Sequence, residues 1–226
     1  MNDPLENPAL AALAGPQAHF AERHGSALRY RAEVTSLSAF PTDPDAAAWA
    51  DLAALHGRGR TVVINGPVRL PPAGWEVTGY TDCLQFDGTA VEPGEPAADV
   101  LVLGPDDVPA MLDLVERTRP GPFRSGTPAM GTYVGVRRGG ALVAMAGERL
   151  RPAGWSEISA VCTDPAHRGQ NLATRLVGAL IGVIRDRGER PFLHTSMRNT
   201  AAIRLYERMG FTPTRQVRFA GMRTPA

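Results

Sequence analysis

Residues 161–177 have the sequence VCTDPAHRGQNLATRLV and carry the strongest structural signal in this 226-residue chain. The stretch begins with apolar residues, passes through a turn marked by Pro165 and Gly169, and continues as an amphipathic run. This order predicts a strand, a loop and the amino end of a helix. Exposed backbone N–H groups and the positive end of the helix dipole attract anions at such a place. The sequence therefore predicts an anion-binding loop.

The residues on either side of this stretch predict a regular series of strands and helices. Before it come a strand that ends at Gly104, a helix that begins through residues 105–107, and a hairpin around Gly139 and Gly140. After it, apolar positions recur at helical spacing until Gly188, and a strand, a helix and a final strand follow. The whole order is strand, helix, three strands, helix, strand, helix, strand. It predicts an α/β (α+β) fold with a mixed, mostly antiparallel sheet flanked by helices.

The first part of the chain predicts a smaller α/β domain. Helical patterns cover residues 6–25 and 43–59, and residues 60–66 form a buried strand pattern. Residues 87–98, DGTAVEPGEPAA, are rich in Gly, Pro and acidic residues, which is typical of a surface connection. We therefore expect two domains, residues 1–96 and residues 97–226. The first shows no arrangement of residues that predicts catalysis.

Composition limits the classes of partner. The 24 basic and 23 acidic side chains give a net charge of +1, so no overall field attracts nucleic acid or an anionic membrane. No apolar run is long enough to cross a bilayer, and the amino terminus lacks the positive charge of a signal peptide. These features predict a cytoplasmic protein. Cys83 and Cys162 stand alone, which predicts reduced thiols, no disulfide and no metal site.

Two motifs resemble those of the GCN5-related N-acetyltransferases (GNAT). The first is VCTDPAHRGQNLATRL, which is similar to the segment that binds acyl-CoA in that superfamily. The second is NTAAIRLYERMGF, with an Asn followed along a helix by a Leu-Tyr pair and a closing Gly-Phe. The resemblance covers residues 99–226, and the length of the chain is similar to that of the FR47-like and glycine N-acyltransferase-like branch. In that branch a degenerate copy of the fold precedes the active one, so residues 1–96 are expected to be such a copy.

The resemblance implies acetyl-CoA as co-substrate, with the pyrophosphate of coenzyme A as the anion at the loop. It also implies that the pantetheine arm lies along the strand edge at Val161 to Thr163, as an added strand would. The implied coenzyme-binding residues are Val161, Cys162, Thr163, Arg168, Gly169, Gln170, Asn171, Leu172, Ala173, Thr174, Asn199 and Tyr206.

The loop departs from the family pattern at one position. Asn171 stands where the pattern has its first Gly, while Gly169 and Ala173 fit. Asn tolerates unusual backbone angles better than most residues, so we expect the loop to be preserved. The alternative is a turn with no ligand.

Three side chains are candidates for the chemistry of acyl transfer. Glu157 lies on the strand that leads into the coenzyme segment and is the first candidate for a general base, with Glu148 on the neighbouring strand as the second. For both, a solvated carboxylate on a strand is the alternative. The resemblance implies that Tyr206 protonates the leaving thiolate, and core packing is its alternative. Asn199 either caps its helix or contacts the coenzyme, and Cys162 is expected to be a strand residue rather than a nucleophile.

These observations predict an acyl-CoA-dependent N-acyltransferase that acts on the primary amine of a small molecule or amino-acid-like acceptor. The alternative function is a regulatory or sensor protein that binds acyl-CoA without catalysis. The resemblance implies an acceptor site around residues 118–133, with a contribution from the first domain. Arg119 and Arg124, within residues 118–133, either hold a carboxylate or are solvated. The expected partners are an amine acceptor and at most a second copy of the chain, with no nucleic acid, membrane or metal.

Overall fold

The computed structural model describes residues 3–66, 70–94 and 97–226. The helices are α1 Pro8–Leu13, α2 Ala46–His56, α3 Val108–Thr118, α4 Leu172–Asp186 and α5 Thr200–Met209. The strands are β1 Ala21–His24, β2 Ala27–Tyr30, β3 Leu37–Ala39, β4 Thr61–Gly66, β5 Glu76–Asp87, β6 Leu101–Leu103, β7 Tyr133–Arg138, β8 Ala141–Glu148, β9 Trp155–Thr163, β10 Arg190–Ser196 and β11 Thr212–Arg223.

The strands form one continuous sheet in the order β1-β2-β3-β4-β11-β5-β10-β9-β8-β7-β6. Most neighbours are antiparallel, while β3 with β4 and β9 with β10 are parallel. This is the mixed, mostly antiparallel sheet flanked by helices that the sequence predicts.

Strand β5 links the two parts of the chain. It pairs with β10 from Cys83 to Asp87 and with β11 along almost its whole length. A strand that precedes residue 96 thus lies between two strands that follow it, and the sheet runs through both predicted domains. The predicted boundary at residue 96 lies outside the described residues. The division into two domains, and the first part as a degenerate copy of the fold, stay predictions.

The sheet is covered on both faces. The apolar side of α4 packs with Phe86, Ile158 and Leu193 in the largest core cluster. A second cluster joins α1 and the strands of the first part to Trp155 and Phe192. Each face buries a continuous apolar layer, which is the main source of stability for such a fold.

The predicted elements of residues 97–226 are confirmed in type and order. Gly139 and Gly140 adopt φ of 55° and 84°, as a tight hairpin between β7 and β8 requires. In the first part, α1, α2 and β4 are confirmed, but the prediction of helix at Ala21–His24 is wrong because these residues form β1. The sequence did not predict β5, most of whose side chains before Cys83 are exposed, so no apolar alternation marks it.

Candidate active site

Strands β9 and β10 separate near the centre of the sheet. They pair from Trp155 to Ile158 on β9 and from Arg190 to Leu193 on β10. Beyond these pairs β9 continues to Thr163 and β10 to Ser196 without pairing to each other. The split exposes a strand edge, and such an edge can hydrogen-bond an extended ligand that carries amides.

A β-bulge lies on β9 beside the split. The register between β8 and β9 shifts between Met145 and Gly147, and Ala160 has a φ of 52°. A positive φ is unfavourable for a residue with a side chain, so the neighbouring pairs must hold it. Bulges of this kind redirect the peptide groups next to them.

The loop before α4 offers donors for an anion. Gly169 has a φ of 76° and Asn171 a φ of 57°, so both adopt the left-handed conformation. The first turn of α4 leaves the N–H groups of Leu172, Ala173 and Thr174 without acceptors inside the helix. Arg168, Gly169, Gln170 and Asn171 are exposed residues. Exposed N–H groups at a helix start suit a phosphate.

A cavity of about 540 Å³ opens at the split between β9 and β10. Its walls come from both parts of the chain. They are formed by β9, β10, β5, β11 and α5, by residues 35, 37, 63, 149 and 199, and by the loop Pro120–Phe123. The loop belongs to residues 118–133, the segment expected to form the acceptor site. Arg119 and Arg124 do not line the cavity, and Arg124 donates to the carbonyl of Ala32.

Tyr206 on α5 and Asn199, the residue just before α5, line this cavity. Tyr206 is buried between Phe86 and Phe211 and still contributes to the cavity wall. Burial raises the pKa of its hydroxyl above the ordinary value, so the group stays protonated and can donate. The side chain of Asn199 lines the cavity and accepts a hydrogen bond from the N–H of Ala202 at 3.1 Å, so it caps α5.

The predicted pantetheine edge is divided between the two faces of the sheet. Val161 lines the cavity together with Ser159 and Ala160. Cys162 instead packs among the buried residues under α3, and burial raises the pKa of its thiol. Cys162 and Cys83 are both free thiols, and Cys83 lines the cavity with a pKa raised by burial to about 11.

Glu157 lies in a buried ionic network and does not line the cavity. Arg149 binds its carboxylate through two nitrogens, Nε to Oε2 at 2.8 Å and Nη2 to Oε1 at 2.6 Å. The backbone N–H of Leu150 also donates to Oε2, at 3.3 Å. Burial alone would raise the pKa of Glu157, but the guanidinium and the hydrogen bonds outweigh it and hold the pKa at about 2. The carboxylate is therefore ionised and fully occupied.

His194 extends this network along β10. Its Nδ1 lies 2.6 Å from Oε1 of Glu157, and its Nε2 lies 3.1 Å from Nε2 of Gln85. Because the carboxylate only accepts and the amide nitrogen only donates, the contacts fit the tautomer with hydrogen on Nδ1. The ring packs edge-on against Phe192 and Phe219. His194 and Arg149 line the cavity, so the network reaches the site through these two residues.

Glu148 belongs to a second network of hydrogen bonds, separate from that of Glu157. Its carboxylate binds the hydroxyl of Ser156 at 2.9 Å, the N–H of Thr132 at 2.6 Å and the guanidinium of Arg187, which follows α4. The side chain is fully buried and is absent from the cavity wall. Glu148 thus ties β8 to the end of α4, away from the split.

Sequence reasoning did not find Arg149, His194 and Gln85. Gln85 and His194 have apolar or small residues on either side, Arg149 stands between Glu148 and Leu150, and no spacing links the three. The pairing of β9 with β10 brings His194 to Glu157, and the pairing of β8 with β9 brings Arg149 to it. The pairing of β5 with β10 brings Gln85 to His194. The available signal was weak: Gln85 and His194 are polar residues within apolar strand patterns, and Arg149 directly follows such a pattern.

The comparisons with known proteins agree with this architecture. The FR47-like protein family matches residues 133–220. A crystal structure from Novosphingobium aromaticivorans, of a protein assigned to the GNAT family of acetyltransferases, has 36% sequence identity, a TM-score of 0.91 and complete coverage of both chains. The chain belongs to the GNAT family of acetyltransferases. As a member of that family it is an acyltransferase, and the predicted family and enzyme class are confirmed.

More distant structures share the fold of this GNAT chain. A GCN5-related N-acetyltransferase from Kribbella flavida has 19% identity and a TM-score of 0.62, with 96% of each chain covered. A GCN5-related N-acetyltransferase-like protein from Streptococcus suis has 14% identity and a TM-score of 0.54, with 89% of this chain and 82% of that chain covered. No curated protein matches the sequence.

The described residues contain neither a membrane-spanning helix nor a cluster of metal ligands. None of the helices in residues 3–66, 70–94 and 97–226 has the length and apolar character needed to span a membrane. The same ranges contain no group of three or more His, Cys, Asp or Glu side chains placed to hold a metal ion.

Proposed function

We propose that the protein transfers an acetyl group from acetyl-CoA to the primary amine of a small molecule or amino-acid-like acceptor. The observation that carries this proposal is the cavity at the split of β9 and β10, which receives Tyr206 from α5 and lies at the strand edge that leads to the anion loop. The co-substrate and the acceptor would meet where the strand edge, a phenol and the acceptor loop converge.

The described residues fit coenzyme A in three respects. The unpaired N–H groups at the start of α4 suit its pyrophosphate. The free edge of β9 from Ser159 suits the amides of its pantetheine arm. The positive φ values of Gly169 and Asn171 turn the loop so that its backbone N–H groups, rather than its side chains, would face the pyrophosphate.

The chemistry needs a neutral amine and a proton for the leaving thiolate. The amine nitrogen attacks the thioester carbonyl carbon, the carbon–sulfur bond breaks, and the sulfur takes its proton from the hydroxyl of Tyr206. The proton lost by the amine passes to water in the cavity, and Tyr206 regains its own from solvent. The hydroxyl of Tyr206, whose pKa burial raises, is protonated at neutral pH, as a proton donor must be.

Glu157 as general base stays a prediction, as does Glu148. With a pKa of about 2 and all its contacts made inside the protein, Glu157 has no direct path to an amine in the cavity. We propose that Glu157 is a positioning residue, which holds Arg149 and His194 at the cavity wall. Glu148 holds the end of α4.

Thiol release measured with acetyl-CoA and a panel of amines tests the proposed function. Turnover with at least one amine supports it, and the product should carry the acetyl group on nitrogen by mass spectrometry. Binding of acetyl-CoA, seen as a rise in melting temperature with ligand concentration, without release on any amine would favour the alternative of an acyl-CoA sensor. Absence of both would overturn the proposal.

Three further expectations stay predictions. They are the cytoplasmic location, the monomeric or dimeric state, and the absence of a nucleic acid or membrane partner. Gel filtration coupled to light scattering measures the oligomeric state directly.

A further inference from the structure

The cavity wall has an uneven distribution of charge. Among the described residues that line it, Arg149 is the one permanent cation, and no Asp or Glu is present. The rest of the wall is apolar or carries hydroxyl, amide and imidazole groups. A site without a carboxylate offers little to a second ammonium group on the acceptor, whereas a guanidinium offers a partner to an anion.

Arg149 has unused hydrogen-bond donors. A guanidinium carries five N–H groups, and Glu157 takes one from Nε and one from Nη2. Nη1 has no partner among the described residues, which leaves the edge formed by Nη1 and Nη2 available. That edge has the same spacing as the one bound by Glu157, so it can hold a second carboxylate through two parallel hydrogen bonds.

The orientation of Arg149 is fixed by two direct contacts and by one residue that acts through Glu157. Glu157 holds one edge, the ring of Phe219 lies 5.6 Å from the guanidinium carbon, and His194 holds Glu157 in place. The side chain is only 15% exposed. A preorganised, partly desolvated cation binds an anion more strongly than a mobile surface arginine does.

We propose that Arg149 binds a carboxylate of the acceptor, so that the acceptors of this enzyme are amino acids or similar amino-carboxylates rather than simple amines. The proposal rests on the proposed function and names its substrate class. Arg149 fixes the carboxylate end, and the amine end is directed to the split between β9 and β10.

The experiment compares standard amino acids with their primary carboxamides and with amines that lack the carboxyl group. Thiol release from acetyl-CoA gives kcat/KM, and melting temperature with coenzyme A present reports acceptor binding without turnover. We expect at least one amino acid to exceed its carboxamide by about 10- to 100-fold in kcat/KM, as for a charge-assisted hydrogen bond in a protein site. When the rate is measured against acceptor concentration, the amino acid and its carboxamide should differ mainly in KM.

Arg149→Lys is the decisive variant because it keeps a positive charge beside Glu157 and removes the second edge. We expect the preference for the amino acid to fall to within about threefold, while the rise in melting temperature caused by acetyl-CoA is unchanged. Arg151→Lys is the matched control, since Arg151 pairs with Glu189 and does not line the cavity. It should keep the preference. If Arg149→Lys does not fold, the neutral pair Arg149→Gln with Glu157→Gln replaces it.

The outcomes separate the two proposals. Equal transfer to amino acids and carboxamides, or equal losses for both in Arg149→Lys, overturns the carboxylate site and leaves the acyltransferase proposal intact. A melting temperature that no amino acid raises more than its carboxamide overturns the carboxylate site even without turnover. Absence of acetyl-CoA binding, by contrast, overturns the proposed function itself.

Discussion

Nδ1 of His194 lies 2.6 Å from Oε1 of Glu157, and the guanidinium of Arg149 binds the same carboxylate. The carboxylate is completely buried, so its charge persists only because these partners replace water. A residue that the sequence suggests as a base is thus at the centre of a structural network. This relationship leads to the first two predictions.

The network should make the free energy of unfolding depend on pH. Glu157 has a pKa of about 2 in the folded protein against an ordinary value of 4.5, so the unfolded chain binds more protons between these values. Its contribution is fully present above about pH 4.5 and is lost as the pH falls towards 2. We expect the urea midpoint of the wild type to approach that of Glu157→Gln as the pH is lowered from 7 to 3. Parallel pH profiles for the two proteins would contradict the ionised network.

The kinetics of Glu157→Gln should distinguish positioning from base catalysis. If Glu157 orients Arg149, the variant raises the KM of the acceptor and changes kcat by less than about tenfold. A general base would instead lower kcat by ~10²–10⁴-fold with little change in KM. Steady-state rates with acetyl-CoA and the best acceptor measure both constants. Glu148→Gln is the comparison, and a larger fall in kcat there would assign the base to β8.

Tyr206→Phe should lower kcat while acetyl-CoA binding is retained. The substitution removes only the hydroxyl, and the ring keeps its contacts with Phe86 and Phe211. Loss of a general acid costs about 10²-fold or more. Tyr133→Phe is a matched control because the hydroxyl of Tyr133 is buried and has no hydrogen-bond partner among the residues that the structure describes. Equal activity of Tyr206→Phe and wild type would exclude Tyr206 as the proton donor.

Gly169→Val should abolish the stabilisation by acetyl-CoA. A β-branched residue is strained at a φ of 76°, and relief of this strain reorganises the loop that presents the N–H groups. Gly154→Val is the control, since Gly154 has a φ of 77° and open space around it in the turn before β9. Both variants should lose intrinsic stability, but only Gly169→Val should lose the ligand-dependent rise in melting temperature. Asn171→Gly should keep that rise, because Asn171 already adopts the left-handed conformation.

The sequence predicted those features that depend on local pattern. The strand, loop and helix of residues 155–186 follow from apolar periodicity and from Pro165 and Gly169, and each element is confirmed. The network around Glu157 could not be predicted, because Arg149 follows β8, His194 lies on β10, and Gln85, which contacts His194, lies on β5. Strand register sets those contacts, and a shift of one residue would turn each side chain to the other face.

A fragment that begins at Ala97 should not fold. It would lack β5, which hydrogen-bonds to β10 on one side and to β11 on the other. The loss would leave two strand edges unpaired in the middle of the sheet and would uncover Trp155 and Phe192, which pack against the first part of the chain. Circular dichroism and gel filtration should show an aggregated or unfolded fragment. Co-expression of residues 1–96 as a second chain is the control, and it should restore a soluble complex that binds acetyl-CoA. A soluble fragment with cooperative unfolding would instead show that residues 97–226 are an independent domain, as the division at residue 96 predicts.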